Sequence, residues 1–281
     1  MNKIKNLLFL LLSVIFVACG GSDDNKKDDN DYKLADVVFN VDLSDKNFVN
    51  QDTINTHANG AGKNIDILRV ECFAIDGSYH VTKEFAVDAD KFEVTIPLEQ
   101  GRVYNVIFWA QNSECEVYDL SNINIIRMKN PEIASHQGIE KMDAFYGVCK
   151  KIEITEVGLS FDVKMKRPFA QINVGTTGVW KENSIKLLNV PTAFSPIENR
   201  IVARGDLEFK CAVMPDKIAS FLVNNAEYQY VGLIYVFAPQ AGMSVNGLMT
   251  VFNGKEEITY TLSDVDIQVN RKTVVLGDYT N

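Results

Sequence analysis

With 281 residues, 46% of them hydrophobic and 23% charged, the chain holds enough apolar material to fill a core, which excludes collagen, coiled-coil and wholly disordered classes. A net charge of −9 leaves no basic face to displace counterions from phosphates, so nucleic acid is excluded as an expected partner. At roughly 100 to 200 residues per domain, the length predicts two domains.

In chain order, the first element is a leader. Lys3 and Lys5 precede an apolar run from Leu7 to Ala18 that closes on Cys19, Gly20 and Gly21. The run is shorter than the roughly 20 apolar residues a bilayer span needs, and its basic, apolar and small-residue order predicts a cleavable signal peptide over 1–18. The junction Phe16-Val17-Ala18-Cys19 resembles a bacterial lipobox, with Phe16 in place of the commoner Leu. That resemblance implies acylation of Cys19 and a lipid anchor in the outer membrane, each buried methylene contributing about 0.8 kcal/mol. Loss of Lys3 and Lys5 with the leader lowers the charge from −9 by two, to −11.

Residues 19–31 carry Asp23, Asp24, Lys26, Lys27, Asp28 and Asp29 and no large apolar side chain, which predicts a solvated, disordered acidic linker. Two readings of this run stand. It is either a bare tether or a surface-export signal, since it resembles the acidic block that follows the lipid cysteine in Bacteroidetes lipoproteins.

Past Tyr32 the pattern has period two, the mark of strands with one face buried. Val37, Phe39 and Val41 alternate with Val38, Asn40 and Asp42; Leu68, Val70, Cys72 and Ala74 follow, then Phe92 to Leu98, Tyr104 to Ala110, Leu159 to Met165, Val231 to Phe237 and Ile258 to Leu262. Asp76-Gly77 and Asn253-Gly254 predict tight turns. Val117 to Lys141 lacks the rhythm and reads as a loop with a short helix. Arg167-Pro168 breaks the alternation and marks the domain boundary, because proline cannot donate to a ladder. The expected fold is therefore all-β: two tandem antiparallel β-sandwich domains, 32–166 and 167–281, each long enough for its own core.

The search for chemistry is mostly negative. His57, His80 and His136 are scattered, no cysteine spacing matches a zinc knuckle, and neither metal nor cofactor is expected. The Gly-Lys of His57 to Asn64 lacks the first glycine and the hydroxyl of a phosphate loop. Asp264 and Asp266 form a carboxylate pair of the kind a glycosidase uses, although 37 acidic residues make such pairs common by chance. Trp109 and Trp180 are candidates for stacking on a sugar, or for core and cross-strand packing. Cys72, Cys115, Cys149 and Cys211 are either buried free thiols or two disulfides in one of three connectivities.

Three motifs then bear comparison with known proteins. Met142-Asp143-Ala144-Phe145-Tyr146-Gly147, the run from Lys166-Arg167-Pro168-Phe169-Ala170-Gln171 to Thr176, and Val269-Asn270-Arg271-Lys272 to Asp278 resemble, in order and spacing, recurring motifs of the fimbrillin-like lipoproteins of Bacteroidetes. The resemblance implies two transthyretin-like, Greek-key sandwiches and a non-enzymatic, cell-surface pilus subunit or pilin-related adhesin, whose partners are other pilin subunits and an unidentified surface receptor. It also implies assembly by strand exchange, in which the first strand leaves and another subunit's strand fills the groove. Here that strand is the one carrying Val37, Val38, Phe39, Asn40 and Val41, which otherwise is the permanent first strand. Processing after a basic residue points to Lys46 or Lys63. Shaft subunits of the family continue past the Gly-Asp segment with a donor extension, whereas this sequence stops at Asn281, so a tip or accessory role is expected. The alternative is a surface glycan-binding lipoprotein.

Overall fold

A computed structural model describes residues 32–46, 48–50, 64–129, 141–178, 180, 182–211 and 220–279. Within the compact unit Lys33–Asn281 the described residues contain strands and turns and no helix. In chain order the strands are β1 (Leu34–Asp42), β2 (Val49–Asn50), β3 (Ile67–Ala74), β4 (His80–Ala86), β5 (Lys91–Glu99), β6 (Val103–Gln111), β7 (Tyr118–Asp119), β8 (Ile126–Met128), β9 (Ala144–Glu153) and β10 (Ser160–Lys164). They continue with β11 (Phe169–Thr176), β12 (Glu182–Ser195), β13 (Arg200–Cys211), β14 (Ser220–Val223), β15 (Ala226–Phe237), β16 (Met243–Phe252), β17 (Glu257–Ile267) and β18 (Arg271–Gly277).

Four sheets result. The order β10-β1-β5 faces β4-β3-β6-β9, and the core between them takes Val37, Phe39 and Val41 from one side and Leu68, Val70, Cys72, Tyr104, Val106 and Phe108 from the other. A second core lies among β14-β15-β11-β18-β2 and β17-β16-β12-β8-β7, with β13 paired to β12, and includes Phe169, Ile172, Ile185, Leu187, Ile234 and Met249. The second core also draws on Ile107, Trp109, Tyr118, Ile126 and Met142, all upstream of Arg167. This explains why both faces of β6 are buried over Val106–Gln111: one face belongs to each core.

The ladders are mostly antiparallel, as the alternation predicts, but β1–β10, β11–β18 and β18–β2 run parallel. β11 is buried at all eight positions, the polar Gln171, Asn173 and Thr176 among them, because it lies inside its sheet between β15 and β18. The predicted loop after Val117 differs from expectation in its described part, which holds β7 and β8 joined by a turn over residues 121–124. The Asp76-Gly77 turn forms as predicted: Gly77 takes φ 74° and the Asp76 carboxylate accepts from the Ser78 amide at 2.9 Å.

Candidate functional site

β1 is an interior strand of its sheet. It pairs antiparallel to β5 along its whole length, Leu34 opposite Glu99 to Asp42 opposite Lys91, and parallel to β10 from Val38 opposite Ser160 to Asp42 opposite Lys164. Ala35, Val37, Phe39, Val41 and Leu43 are at most 1% exposed. Phe39 meets Phe108 edge-on at 5.2 Å and stacks on Phe161 at 5.8 Å. The other face is wet: Asn40 donates to Ser160 Oγ at 3.1 Å and Asp162 Oδ1 at 2.8 Å, above a shallow concavity of about 440 Å³ lined by Asp42, Lys91, Glu93 and Lys164 among others.

Magnitude decides what this strand means for the first sandwich. Burying Val37, Phe39, Val41 and Leu43 contributes about 1.5–3 kcal/mol each, or on the order of 6–12 kcal/mol together. That equals most of a typical domain's net stability of about 5–15 kcal/mol. The first core therefore needs β1 or a substitute of the same shape.

Where β1 ends, the chain is held at three points. Ser44 hydrogen bonds lower the Asp42 carboxyl below the usual carboxylate range, Lys91 assisting, with Ser44 N donating to Asp42 Oδ1 at 2.8 Å. Ser44 and Asp45 are then exposed. Lys46 is pinned at both ends: its ammonium meets Asp90 at 2.6 Å, and its backbone carbonyl accepts from Arg167 Nη2 at 2.8 Å.

That arginine is the centre of a buried cluster. Arg167 grips Asp143 in a bidentate pair, donates through Nη1 to Asn270 Oδ1 at 2.6 Å, and lies with its guanidinium 3.8 Å from the Phe48 ring and 4.6 Å from the Phe145 ring. Lys272 stands 5.2 Å from the same Phe48 ring, and burial, with Arg167 nearby, pushes its ammonium down to about 8. Asp143, Arg167, Asn270 and Lys272 come from the three sequence motifs above, which thus converge in space on the segment leaving β1. The sequence offered those residues as family markers and gave no sign that they meet.

Other sequence candidates are placed as follows. Cys19 and Lys63 lie outside the described residues, as do the 1–31 leader and linker, His57 and His136. Trp109 is fully buried, donates to Gln111 Oε1 at 2.7 Å and packs edge-on against Tyr118 and Phe169. Trp180 is 4% exposed. Neither presents a face to a sugar, which corrects the stacking candidates: the outer face of β6 is covered by the second core. Asp264 and Asp266 are exposed on the edge strand β17, where Asp264 takes φ 52° at a register shift. Cys72, Cys115 and Cys149 are free thiols, and burial raises them to about 12, 11 and 11. His80 bonds Glu71 at 3.1 Å. Among the described residues no group of three or more His, Cys, Asp or Glu side chains converges as a metal would require.

Comparison with known proteins adds the following. A family model, Family of unknown function (DUF6562), matches residues 33–279. Among solved structures, a candidate adhesin from Bacteroides ovatus is 14% identical, covers 87% of this chain and 88% of its own, and superposes with a TM-score of 0.52. The fimbrial anchor protein Mfa2 from Porphyromonas gingivalis is 13% identical over 83% of this chain and 82% of its own, at a TM-score of 0.47. A candidate polysaccharide-binding protein from Bacteroides thetaiotaomicron is 13% identical over 82% and 80%, at 0.48. The first of these shares the fold. Curated proteins give no match.

Proposed function

This chain belongs to the DUF6562 family, and we propose that it is a fimbrillin-like adhesin or pilus subunit of the cell surface, assembling with other subunits by β-strand exchange. In this reading Cys19 carries the lipid that anchors the protein in the outer membrane, and two sandwich modules meet at Arg167. β1 is the element another subunit's strand replaces, at a tip or accessory position. The resemblance of the sequence motifs to fimbrillin-like lipoproteins supports it, as does the fold shared with the candidate adhesin.

The single observation that carries the proposal is the construction of β1. Four of its side chains, with Leu43 just after it, fill a core, its backbone is bonded on both sides, and an exposed Ser44–Asp45 link follows Leu43. Withdrawal of such a strand leaves two unpaired edges, β5 and β10, flanking an apolar groove, and an extended peptide is what satisfies both edges and groove. Catalysis has no part in the reading.

The experiment is to place a protease recognition sequence between Ser44 and Asp45, fold the full chain, nick it, and add a labelled peptide copying residues 34–43. Uptake of the label, with a melting temperature that rises with peptide concentration, is the expected result. A nicked protein that keeps its own β1 indefinitely, or unfolds with no rescue by peptide, overturns the proposal. Cys19→Ser should abolish acylation and release the protein from membranes; unchanged mass and fractionation would remove the anchor.

A further inference from the structure

An acidic chain gathers three ammonium groups around one small cavity. Lys164 and Lys166 flank Met165, which is buried, so alternation turns both lysines outward. β9 comes close to them because Gly147 has no side chain: a Cβ there would stand 2.6 Å from Val163 Cγ1 and 2.7 Å from Met165 Sδ. Tyr146 and Lys166 then exchange two backbone hydrogen bonds of 2.8 Å, and Lys150, further along β9, lines the same cavity as Lys164 and Lys166. The turn between β12 and β13 closes the site with Pro196 and Asn199.

The cavity measures about 210 Å³, and none of its eight lining residues is acidic, although the chain carries 37 acidic residues and a net charge of −9. Two carboxylates stand beside lining residues. Asp45 meets Lys164 at 3.7 Å with both side chains more than half exposed, a contact that water screens, and Glu198 is engaged by Arg200. Like charges held around one cavity repel, and a bound anion relieves that repulsion. Asn199 adds a donor. It sits at φ 51°, its backbone N bonds the Pro196 carbonyl at 3.2 Å, and its Oδ1 accepts from Tyr146 Oη at 2.5 Å. With Oδ1 taken by that hydroxyl, the amide has Nδ2, which can only donate, to offer a ligand.

We propose that this cavity binds an acidic sugar, its carboxylate or sulfate among Lys150, Lys164 and Lys166 and its ring over Tyr146 and Pro196. The volume lies below the roughly 300–1,000 Å³ of sites for drug-sized ligands, which suits a single small ring. Donors select the anion, and the apolar surface of Tyr146 and Pro196 suits the C–H face of a sugar. The proposal names a ligand class for the adhesin reading above and rests on that reading. Binding in solution is measured apart from strand exchange, so either can fail while the other holds.

The test is an NMR amide-shift titration of the full chain with glucuronate, glucose 6-sulfate, glucose and inorganic sulfate. Glucuronate and glucose 6-sulfate should shift the amides of Gly147, Val148 and Asn199, and glucose should not. Inorganic sulfate, which lacks the ring, should bind about tenfold more weakly than glucose 6-sulfate. Lys150→Gln and Lys166→Gln, both at exposed positions, should each weaken glucuronate about tenfold, the scale of one hydrogen bond to a charged group, with an unchanged melting temperature. Lys166→Arg should keep the affinity. Asn199→Asp retains a side chain that tolerates positive φ and accepts from Tyr146, yet sets a negative charge in the cavity, and should abolish binding. Amides unmoved by both acidic sugars, or affinities that the lysine variants leave unchanged, overturn the site. Inorganic sulfate bound as tightly as glucose 6-sulfate reduces it to a simple anion contact and overturns the sugar.

Discussion

Arg167 and Asp143 form a fork-to-fork pair, Nε to Oδ1 at 2.7 Å and Nη2 to Oδ2 at 2.8 Å, with the two side chains 0% and 2% exposed. Twenty-four residues apart in sequence, they join the start of β9 to the segment before β11. A buried pair of this kind is costly to desolvate, and its removal by halves leaves a charge stranded in the interior. Arg167→Met should therefore destabilise by about 3–5 kcal/mol in urea unfolding, and a double variant with Asp143→Leu should recover part of that loss. Strictly additive losses in the double-mutant cycle would contradict a coupled pair.

β1 and its neighbours are packed to contact, which fixes two further expectations. Phe39→Ala should cost about 3–5 kcal/mol, because Phe108 and Phe161 close on that ring from two sides. Gly147→Ala would bring a methyl within 2.6 Å of Val163 Cγ1 and 2.7 Å of Met165 Sδ, so an overpacking cost of about 1–3 kcal/mol is expected, accompanied by weaker hydrogen-exchange protection of β10. A neutral outcome for Gly147→Ala would mean that β9 and β10 are more loosely apposed than the geometry gives.

Lys272 supplies a pH dependence with a definite sign. Its native value of about 8 lies below the ordinary lysine value of about 10.4, because burial comes first and Arg167 second, with Asp143 opposing them. Between those two values the unfolded chain binds a proton that the native chain lacks, so the lysine's contribution to stability rises with pH across that window. The buried thiols and tyrosines act oppositely there, and the comparison must be with Lys272→Met. The wild type should gain on the variant from pH 8 to pH 10; a constant difference would place Lys272 in water.

Thiol reactivity gives a simple check on the cores. Burial raises Cys72, Cys115 and Cys149 far above neutral pH, which leaves almost no thiolate to react. Site-resolved mass spectrometry after iodoacetamide at pH 7.5 should find these three unlabelled in the native protein and labelled once it is unfolded in urea. Rapid native labelling of Cys72 would require β3 to open.

Much of the fold is legible because it repeats every second residue. β1, β3, β5, β10 and β17 each bury one face against one core, so Val37, Val70, Val94, Val163 and Leu262 carry the pattern on their own. β2, β7 and β8 are two or three residues long, too short for any period to declare itself. Trp109 left two readings open, and its burial selects core packing: a strand position predicts which face a side chain takes and not what later covers that face. The cluster around Arg167 was beyond reach for a related reason. Asn270 stands 103 residues away and Lys46 121, and a hydrogen bond spanning such intervals leaves no local trace. The first-strand residues were recognisable from alternation; what anchors the chain behind them was not.

The ladders on both flanks of β1 also fix how the molecule responds to tension. A pull applied at Lys33 along the strand axis would load the rungs to β5 and β10 together, so they would resist sliding and could not unzip one after another. Pairing on both flanks thus makes the strand hard to extract by force.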